Sequence, residues 1–143
     1  MAKSYTIKLK IKRLDVGNFH IFAAGKVNNF PVNICIDTGA SRTLIDKQFY
    51  LEHFSEMLPK AACTIGATIG TSQMDISIAK LHKFSIGRLN ISEFEVAAVE
   101  IKTVNDAYKM VGLKPIQIIL GNDFLVPYHA IINYQDKLLT LNI

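Results

Sequence analysis

The sequence predicts a single mostly-β domain with two or three short helices, and three observations support that fold class. The chain has 143 residues, a length that favours one domain over residues 1–143 with one hydrophobic core. Hydrophobic residues make up 50% of the chain and charged residues 20%, which is typical of a packed protein. Short apolar runs with a period of two recur along the chain, as expected of strands in a sheet.

The first predicted strand covers residues 5–11, in which apolar side chains alternate with polar ones. This alternation is typical of a strand with one buried face and one exposed face. The polar face carries three lysines: Lys8, Lys10 and Lys12. Because charged side chains hinder pairing with another chain, these lysines are expected to be solvated and to protect a sheet edge.

A hairpin is predicted next. Residues 20–24 form its first arm, residues 25–29 are rich in turn-forming residues, and residues 30–36 form the second arm. The second arm is apolar, as expected of a buried strand. It runs directly into Asp37.

The middle of the chain is predicted to contain one helix and several strands. Asp46 is expected to cap a helix over residues 47–58, because aromatic and apolar residues recur there at helical spacing. Residues 64–80 contain two glycines in a β-rich segment, which predicts a long hairpin with a mobile tip. Residues 84–86 and 94–99 are predicted to form further strands.

A second short helix is predicted over residues 103–111. Either Asn105 or Asp106 is expected to be its N-cap, since both residue types favour that position. Residues 116–121 follow as an apolar strand that ends in glycine.

The last predicted elements are a helical turn and a closing hairpin. Asn122 or Asp123 is expected to cap the turn, because the side-chain oxygens of both residue types accept hydrogen bonds from helix amides. Residues 130–133 and 138–141 are apolar runs separated by a polar turn, and they form the hairpin.

The segment from Asp37 to Gly39 carries a specific chemical signal. A carboxylate at the end of a buried strand is costly unless it is hydrogen-bonded. Thr38 supplies a hydroxyl that can bind nearby backbone, and Gly39 allows a tight turn whose amide approaches the carboxylate. The alternative is that Asp-Thr-Gly is only a turn after a strand, since these residue types are common in turns.

Two segments resemble those of the retropepsin-like aspartic proteases: ICIDTGASRTLI at residues 34–45 and IILGNDFL at residues 118–125. The resemblance covers nearly the whole chain. The C-terminal part is similar to the branch that contains the DNA-damage-inducible shuttle proteins and small bacterial relatives. The resemblance implies a single-lobe, closed β-barrel-like fold and an aspartic endopeptidase that uses neither a metal nor another cofactor.

The resemblance also assigns roles to residues of both segments. Asp37 matches the catalytic aspartate, and Thr38 matches the residue that joins the two active-site loops across a dimer axis. The rest of the active-site loop, and the strand end packed behind it, match at these positions: Gly39, Ala40, Leu120 and Gly121. A flap is implied for residues 66–73, with its tip at these residues: Ile69, Gly70 and Thr71.

Family members carry one Asp-Thr-Gly per chain and assemble the active site from two subunits. In this sequence Asp37 alone among the aspartates is followed by Thr-Gly. The resemblance therefore implies a homodimer in which the second carboxylate is Asp37 of a symmetry mate. The terminal residues 138–143 are expected to contribute to the interface, since an unpaired apolar strand would otherwise be an exposed edge.

The function implied is hydrolysis of peptides or unfolded protein segments. The alternative is a catalytically silent dimeric module of the same fold that binds an extended peptide by strand addition. An intact Asp-Thr-Gly favours the enzyme, because a binding module does not need a carboxylate in the floor of its cleft. The helical stretch 103–112 is longer than the usual connection in the family, and its role is open.

The remaining candidate residues favour structural roles. The four histidines have no ligand spacing, so no metal site is expected. Cys35 is expected to be a buried thiol rather than a nucleophile. Asp123 fits a helix cap better than a second catalytic acid.

Composition disfavours two classes of partner. The net charge is +4 and the pI is near 9.1, but the lysines are spread along the chain without an arginine-rich run. This pattern does not favour nucleic-acid binding. No apolar stretch approaches the roughly 20 residues of a membrane helix, and the N-terminus lacks the apolar core of a signal peptide. A cytoplasmic protein with reduced cysteines is therefore expected.

Overall fold

The structure, a computed structural model, describes residues 2–15, 17–54 and 76–143. Most of these residues lie in strands, and three short helices accompany them. The strands are β1 (Ser4–Lys8), β2 (Lys10–Asp15), β3 (Asn18–Val27), β4 (Phe30–Ile36), β5 (Leu44–Asp46), β6 (Ser77–Ile86), β7 (Leu89–Val99), β8 (Ile118–Leu120), β9 (Ile131–Asn133) and β10 (Leu138–Asn142). The helices are α1 (Lys47–His53), α2 (Lys102–Met110) and α3 (Asn122–Leu125).

Six strands close into a barrel in the order β3-β4-β8-β5-β7-β6, because β6 pairs back onto β3. Strand β2 extends this sheet beyond β3 and lies at its edge. Strands β1, β10 and β9 form a separate three-stranded sheet. The fold class predicted from the sequence, a mostly-β closed barrel with short helices, is confirmed.

Two apolar clusters fill the structure. The larger cluster occupies the barrel interior and includes side chains that are fully buried: Ile34, Leu81, Phe84, Ile118 and Leu120. The smaller cluster lies outside the barrel, beneath α2: Phe22, Cys35, Ile101, Tyr108 and Ile116. Successive strand residues point to opposite faces, so β4 contributes Ile34 to the interior and Cys35 to the outer cluster.

The N-terminal strand is divided in two, so the prediction of one strand over residues 5–11 is wrong. The strand is interrupted at Leu9, whose N–H donates to the carbonyl oxygen of Lys137 over 2.9 Å. Strand β1 pairs with β10, whereas β2 pairs with β3. The expected exposure of Lys8, Lys10 and Lys12 is confirmed, and the last two lie on the edge strand β2.

The predicted hairpin around residue 28 forms, but its turn is tighter than expected. Residues 25–27 continue β3 and pair with β4, so only Asn28 and Asn29 turn the chain. Both asparagines have positive φ, at 48° and 67°. Asparagine tolerates this conformation better than most residues do, so the pair suits a two-residue turn.

Helix α1 begins as predicted. The side chain of Asp46 accepts a hydrogen bond from the N–H of Gln48, so the predicted cap is confirmed. The helix ends at His53 and is followed by the non-helical C-cap Phe54, so its predicted continuation to residue 58 is wrong. The tip of the 64–80 hairpin lies outside the described residues. The predicted strands 84–86 and 94–99 are confirmed as parts of longer strands, β6 and β7, which pair along their length.

Helix α2 covers the outer face of the barrel and explains the extra length of this connection. Its Tyr108 is buried against Phe22 and Cys35. The predicted helix is confirmed, but the predicted caps are wrong because Asn105 and Asp106 lie inside it. The Asn105 side chain instead accepts from the N–H of Ile116 over 2.8 Å and donates to its carbonyl oxygen over 3.0 Å.

The C-terminal hairpin β9–β10 forms as predicted, but β10 has no free edge. It pairs with β9 on one side and with β1 on the other, and Leu139 and Leu141 are fully buried. The reason given for placing residues 138–143 in a dimer interface is therefore wrong. In the described part of the chain, no helix is long and apolar enough to cross a membrane.

Candidate active site

The loop at Asp37 begins where β4 leaves the barrel. Strand β4 runs parallel to β8, and the N–H of Asp37 donates to the carbonyl oxygen of Leu120 over 3.0 Å. The Asp37 carboxylate accepts a hydrogen bond from the N–H of Gly39 over 2.9 Å through Oδ1. The N–H of Ala40 closes the turn on the carbonyl oxygen of Asp37 over 3.2 Å. One carboxylate oxygen is thereby oriented by the loop itself.

Asp37 is exposed in the single chain. Its neighbours Thr38 and Gly39 are exposed as well, although the strand that leads to them is buried. Burial of β4 therefore ends abruptly at Ile36, and the loop presents its polar groups to the outside of the barrel.

The segment after β8 supports this loop from behind. Asn122 donates twice to it, from its N–H to the carbonyl oxygen of Ala40 and from Nδ2 to that of Thr38, each over 2.8 Å. Gly121 is needed for this close approach, because a Cβ there would lie 2.7 Å from the Ala40 oxygen and 2.8 Å from a backbone carbon of Arg42. The structure thus brings both sequence segments together at one place.

Thr43 and Asp123 form a polar link that sequence reasoning missed. Thr43 is fully buried and donates to Oδ1 of Asp123 twice, from its N–H over 2.9 Å and from its hydroxyl over 2.7 Å. The Thr43 hydroxyl also accepts from the N–H of Gly121 over 3.0 Å. The signal was present, since a threonine in the returning run to Leu44 and Ile45 requires a buried partner.

The roles considered for Asp123 are both wrong. It does not cap α3, whose N-cap is Gly121 without a side-chain hydrogen bond. Its carboxylate is engaged by Thr43 behind the loop, so it does not face the cavity that Asp37 lines. Asn122, the other predicted cap, lies within α3 and bonds the Asp37 loop instead.

A cavity of about 210 Å³ lies beside Asp37, on the outer face of β3 and β4. The strand register pairs Ile21 with Ile36, so His20 and Asp37 are the next residues along the two strands and share a face. The rim of the cavity is aromatic, with Phe19 59% exposed and Tyr134 62% exposed.

The His20 ring is held by the outer cluster. Its Nδ1 lies 2.6 Å from the Tyr108 hydroxyl, which also donates to Sγ of Cys35 over 3.9 Å. The pKa of the Cys35 thiol is raised to about 11, chiefly by burial; the Tyr108 hydrogen bond lowers it and the nearby Asp37 charge raises it by smaller amounts. Burial and the neighbouring Cys35 raise the pKa of Tyr108 as well.

Three further predictions concern the flap tip, a metal site and the Cys35 thiol. The flap tip (Ile69, Gly70 and Thr71) lies outside the described residues. Within residues 2–15, 17–54 and 76–143, no group of three or more histidine, cysteine, aspartate or glutamate side chains could hold a metal ion. Cys35 is 7% exposed, which agrees with the predicted buried thiol.

The site thus consists of an Asp-Thr-Gly loop on a closed barrel, and the Leu-Gly segment at the end of β8 supports this loop from behind. A family model described as aspartyl protease matches residues 23–124, which include both elements and most of the chain. The chain belongs to the aspartyl protease family. No curated protein sequence matches this family member.

Solved structures of retropepsin-like folds resemble this aspartyl protease family member. A crystal structure of a retropepsin-like aspartic protease from Rickettsia conorii matches with a TM-score of 0.60 and 16% identity, covering 99% of this chain and 92% of that one. The retroviral protease-like domain of Ddi1 from Leishmania major matches with a TM-score of 0.55 and 16% identity, covering 84% and 86% of the two chains. At this identity the likeness shows the fold.

Alkaline pH is expected to destabilise this protease-family fold through Cys35. The folded thiol has a pKa of about 11 against 9.0 when unperturbed, so the unfolded chain loses this proton first as pH rises. The stabilisation is complete below pH 9 and is lost towards pH 11, at a cost of about 2 kcal/mol in the free energy of unfolding. Denaturant titrations across this range measure it, and Cys35→Ala should flatten the dependence. Equal slopes for the two proteins would contradict the prediction.

Proposed function

We propose that the chain is one subunit of a homodimeric aspartic endopeptidase. The observation that carries the proposal is the exposed Asp37 on a loop braced by Gly39 and Asn122. Among the described residues that line its cavity, Asp37 is the only carboxylate. General acid–base hydrolysis of an amide requires a proton acceptor and a proton donor, so a second copy of Asp37 supplies the missing group.

In the proposed mechanism the two Asp37 carboxylates share one proton, because like charges at hydrogen-bonding distance do not both ionise. The ionised carboxylate accepts a proton from water while the oxygen of that water attacks the scissile carbonyl carbon. The protonated carboxyl donates to the carbonyl oxygen, which gives a tetrahedral intermediate. The carboxyl that took the proton from water then donates it to the amide nitrogen, while the other carboxylate accepts a proton from a hydroxyl of the intermediate. The C–N bond breaks, an acid and an amine leave, and the pair again holds one proton.

The substrate proposed is an extended peptide or an unfolded protein segment. The 210 Å³ cavity beside Asp37 is suited to one substrate side chain, and its rim of Phe19 and Tyr134 favours an apolar one. The exposed Thr38 is available for contact with the partner loop.

The dimer requirement is tested by activity against protein concentration. A reduced, denatured protein is the substrate, new amino termini are counted over a range of acidic to neutral pH, and sedimentation gives the oligomeric state at each concentration. Activity per chain is expected to rise with protein concentration and to level off once nearly all chains are dimeric. A monomer with full specific activity at high dilution would contradict the proposal.

The same assay separates the enzyme from a silent peptide-binding module. A dimer that binds denatured protein but releases no new amino termini at any pH would favour the module. Catalysis predicts a bell-shaped dependence of kcat on pH, because one carboxyl of the pair must be ionised and the other protonated.

A further inference from the structure

A second concave surface, which we call the basic groove, shares no described lining residue with the Asp37 cavity. It has a volume of about 510 Å³ and runs between β2 and residues 112–117. Its floor is apolar and consists of side chains on the outer face of β3 and β4: Phe22, Ala24 and Pro31. Such a floor can bind the apolar part of a ligand, because contact between the two removes apolar surface from water.

The rim of the basic groove is positively charged. Lys10 and Lys12 stand on one side and Lys114 on the other, and all three are exposed. Among the described residues that line the groove, none is acidic. Salt bridges elsewhere in the described chain involve Arg42, Lys80, His82 and Lys102, so the three groove lysines have no acidic partner among the described residues. The three lysines therefore make the potential in the groove positive, which attracts a negatively charged ligand.

The far wall of the basic groove is held rigidly against the barrel. Gln117 in this wall forms two hydrogen bonds with the backbone of Asn33 on β4. The Asn33 N–H donates to Oε1 of Gln117 over 2.7 Å, and the Asn33 carbonyl oxygen accepts from the Gln117 N–H over 3.0 Å. Nδ2 of Asn33 donates to the carbonyl oxygen of Pro115 over 3.2 Å. At the other end, the N–H of Leu113 donates to the carbonyl oxygen of Tyr108 over 2.9 Å. Because the backbone of this wall is already in place, binding in the groove has a lower ordering cost.

The basic groove and the Asp37 cavity lie on the same outer face of β3 and β4. Asn33 lines the groove and Asp37 follows it four positions later, which is roughly 13 Å along a strand. Between them Phe22 packs edge-on against Tyr108, with ring centroids 5.7 Å apart. The two surfaces are thus neighbours separated by one aromatic contact.

We propose that the basic groove binds an acidic, partly apolar peptide segment of the substrate outside the catalytic cleft. The carboxylates of the segment pair with Lys10, Lys12 and Lys114, and an apolar side chain rests on the floor. A peptide fits better than a nucleic acid, because the described lining residues include no arginine and a single aromatic residue, Phe22, whose burial leaves no ring face free for a base.

Binding is measured on the Asp37→Asn protein, so that the result does not depend on catalysis. The probe is a fluorescein-labelled peptide of about ten residues that alternates glutamate and leucine. Lys12→Glu/Lys114→Glu is expected to weaken its binding at least about tenfold, since two attractions become repulsions at exposed sites. The matched control, Lys3→Glu/Lys47→Glu, makes the same charge change outside the groove and should leave Kd unchanged.

Several results would overturn the proposal. These are no saturable binding of the glutamate–leucine peptide, equal loss in both double variants, or tighter binding of a single-stranded oligonucleotide of equal charge. Dissociation of the dimer by Lys12→Glu/Lys114→Glu but not by the control would assign the groove to a second copy of the chain and would also overturn it. Replacing leucine by serine in the probe should weaken binding, because the floor then loses its contact.

The role in substrate binding rests on the proposed function and has its own readout. A cleavable peptide is joined to the glutamate–leucine segment by about 12 glycine and serine residues, a linker whose mean reach is roughly 20 Å. The added segment should lower KM severalfold and leave kcat unchanged, and Lys12→Glu/Lys114→Glu should remove the gain. Unchanged KM despite binding would overturn the role in substrate recruitment. Absence of all cleavage would instead count against the proposed function.

Discussion

Replacing Asp37 by asparagine is expected to lower kcat by about 10³-fold or more while the fold and the dimer persist. The change is nearly isosteric, and the amide oxygen can still accept the hydrogen bond that the Gly39 N–H now donates to Oδ1. A neutral amide cannot accept the proton of the attacking water, so only the chemical step should suffer. Turnover of a denatured protein, thermal melting and sedimentation compare the variant with the native chain.

Mixing the two proteins makes this test sharper. If both Asp37 residues of a dimer are required, a mixed dimer is inactive and activity follows the square of the native fraction. An equal mixture after subunit exchange should then retain about one quarter of the activity, whereas independent subunits would retain about one half. Retained turnover in the pure variant would exclude Asp37 as the catalytic group, and a linear mixing curve would exclude a shared site.

Replacing Gly121 by alanine is expected to have the second-largest effect. The new Cβ would lie 2.7 Å from the Ala40 oxygen and 2.8 Å from the Arg42 carbonyl carbon, and both are backbone atoms that cannot turn away as a side chain can. The active-site loop must shift, which strains the bonds from Asn122 to Ala40 and Thr38. The free energy of unfolding should fall by about 1–3 kcal/mol, and kcat should fall with it because Asp37 moves.

The matched control for Gly121→Ala is Gly17→Ala. A Cβ at Gly17 has no heavy atom within 4 Å, although its φ of +78° imposes some strain. Gly17→Ala should therefore lower stability by about 1 kcal/mol and leave kcat unchanged. Denaturant titration and steady-state kinetics measure both variants. Normal kcat in Gly121→Ala would show that Gly121 does not position the catalytic loop.

Local patterns predicted the strands and the caps that depend on neighbouring residues. The apolar run over residues 30–36 placed β4 and its end at Ile36, and the side chain of Asp46 marked the start of α1 because its partner, the Gln48 amide, is two residues away. The same reasoning failed at Asn105 and Asp123. Their side chains bond Ile116 and Thr43, partners that are distant in sequence and therefore not visible in a local pattern.

Edges and breaks in strands were also beyond local reasoning. The alternation of residues 5–11 continues through Leu9, yet the chain divides there because β1 and β2 pair with different strands, β10 and β3. The apolar β10 resembles an unpaired terminal strand until β1 and β9 are seen on its two sides. Period-two patterns report which face of a strand is buried, not which strand lies beside it.

The sequence by itself determined the mostly-β class and the position of the Asp37 loop, because both follow from residue type and spacing within short windows. The resemblance to the retropepsin-like proteases implied that Leu120 and Gly121 lie behind this loop. Only the tertiary structure decided that Thr43, Gly121 and Asp123 are linked by hydrogen bonds, because antiparallel pairing of β5 with β8 brings together residues some 80 positions apart. It also decided the purpose of α2, which seals the outer face of the barrel with Tyr108 and forms one wall of the basic groove with the residues that follow it. Burial and hydrogen bonding between distant segments are properties of the closed barrel, so they exist only after the chain has folded.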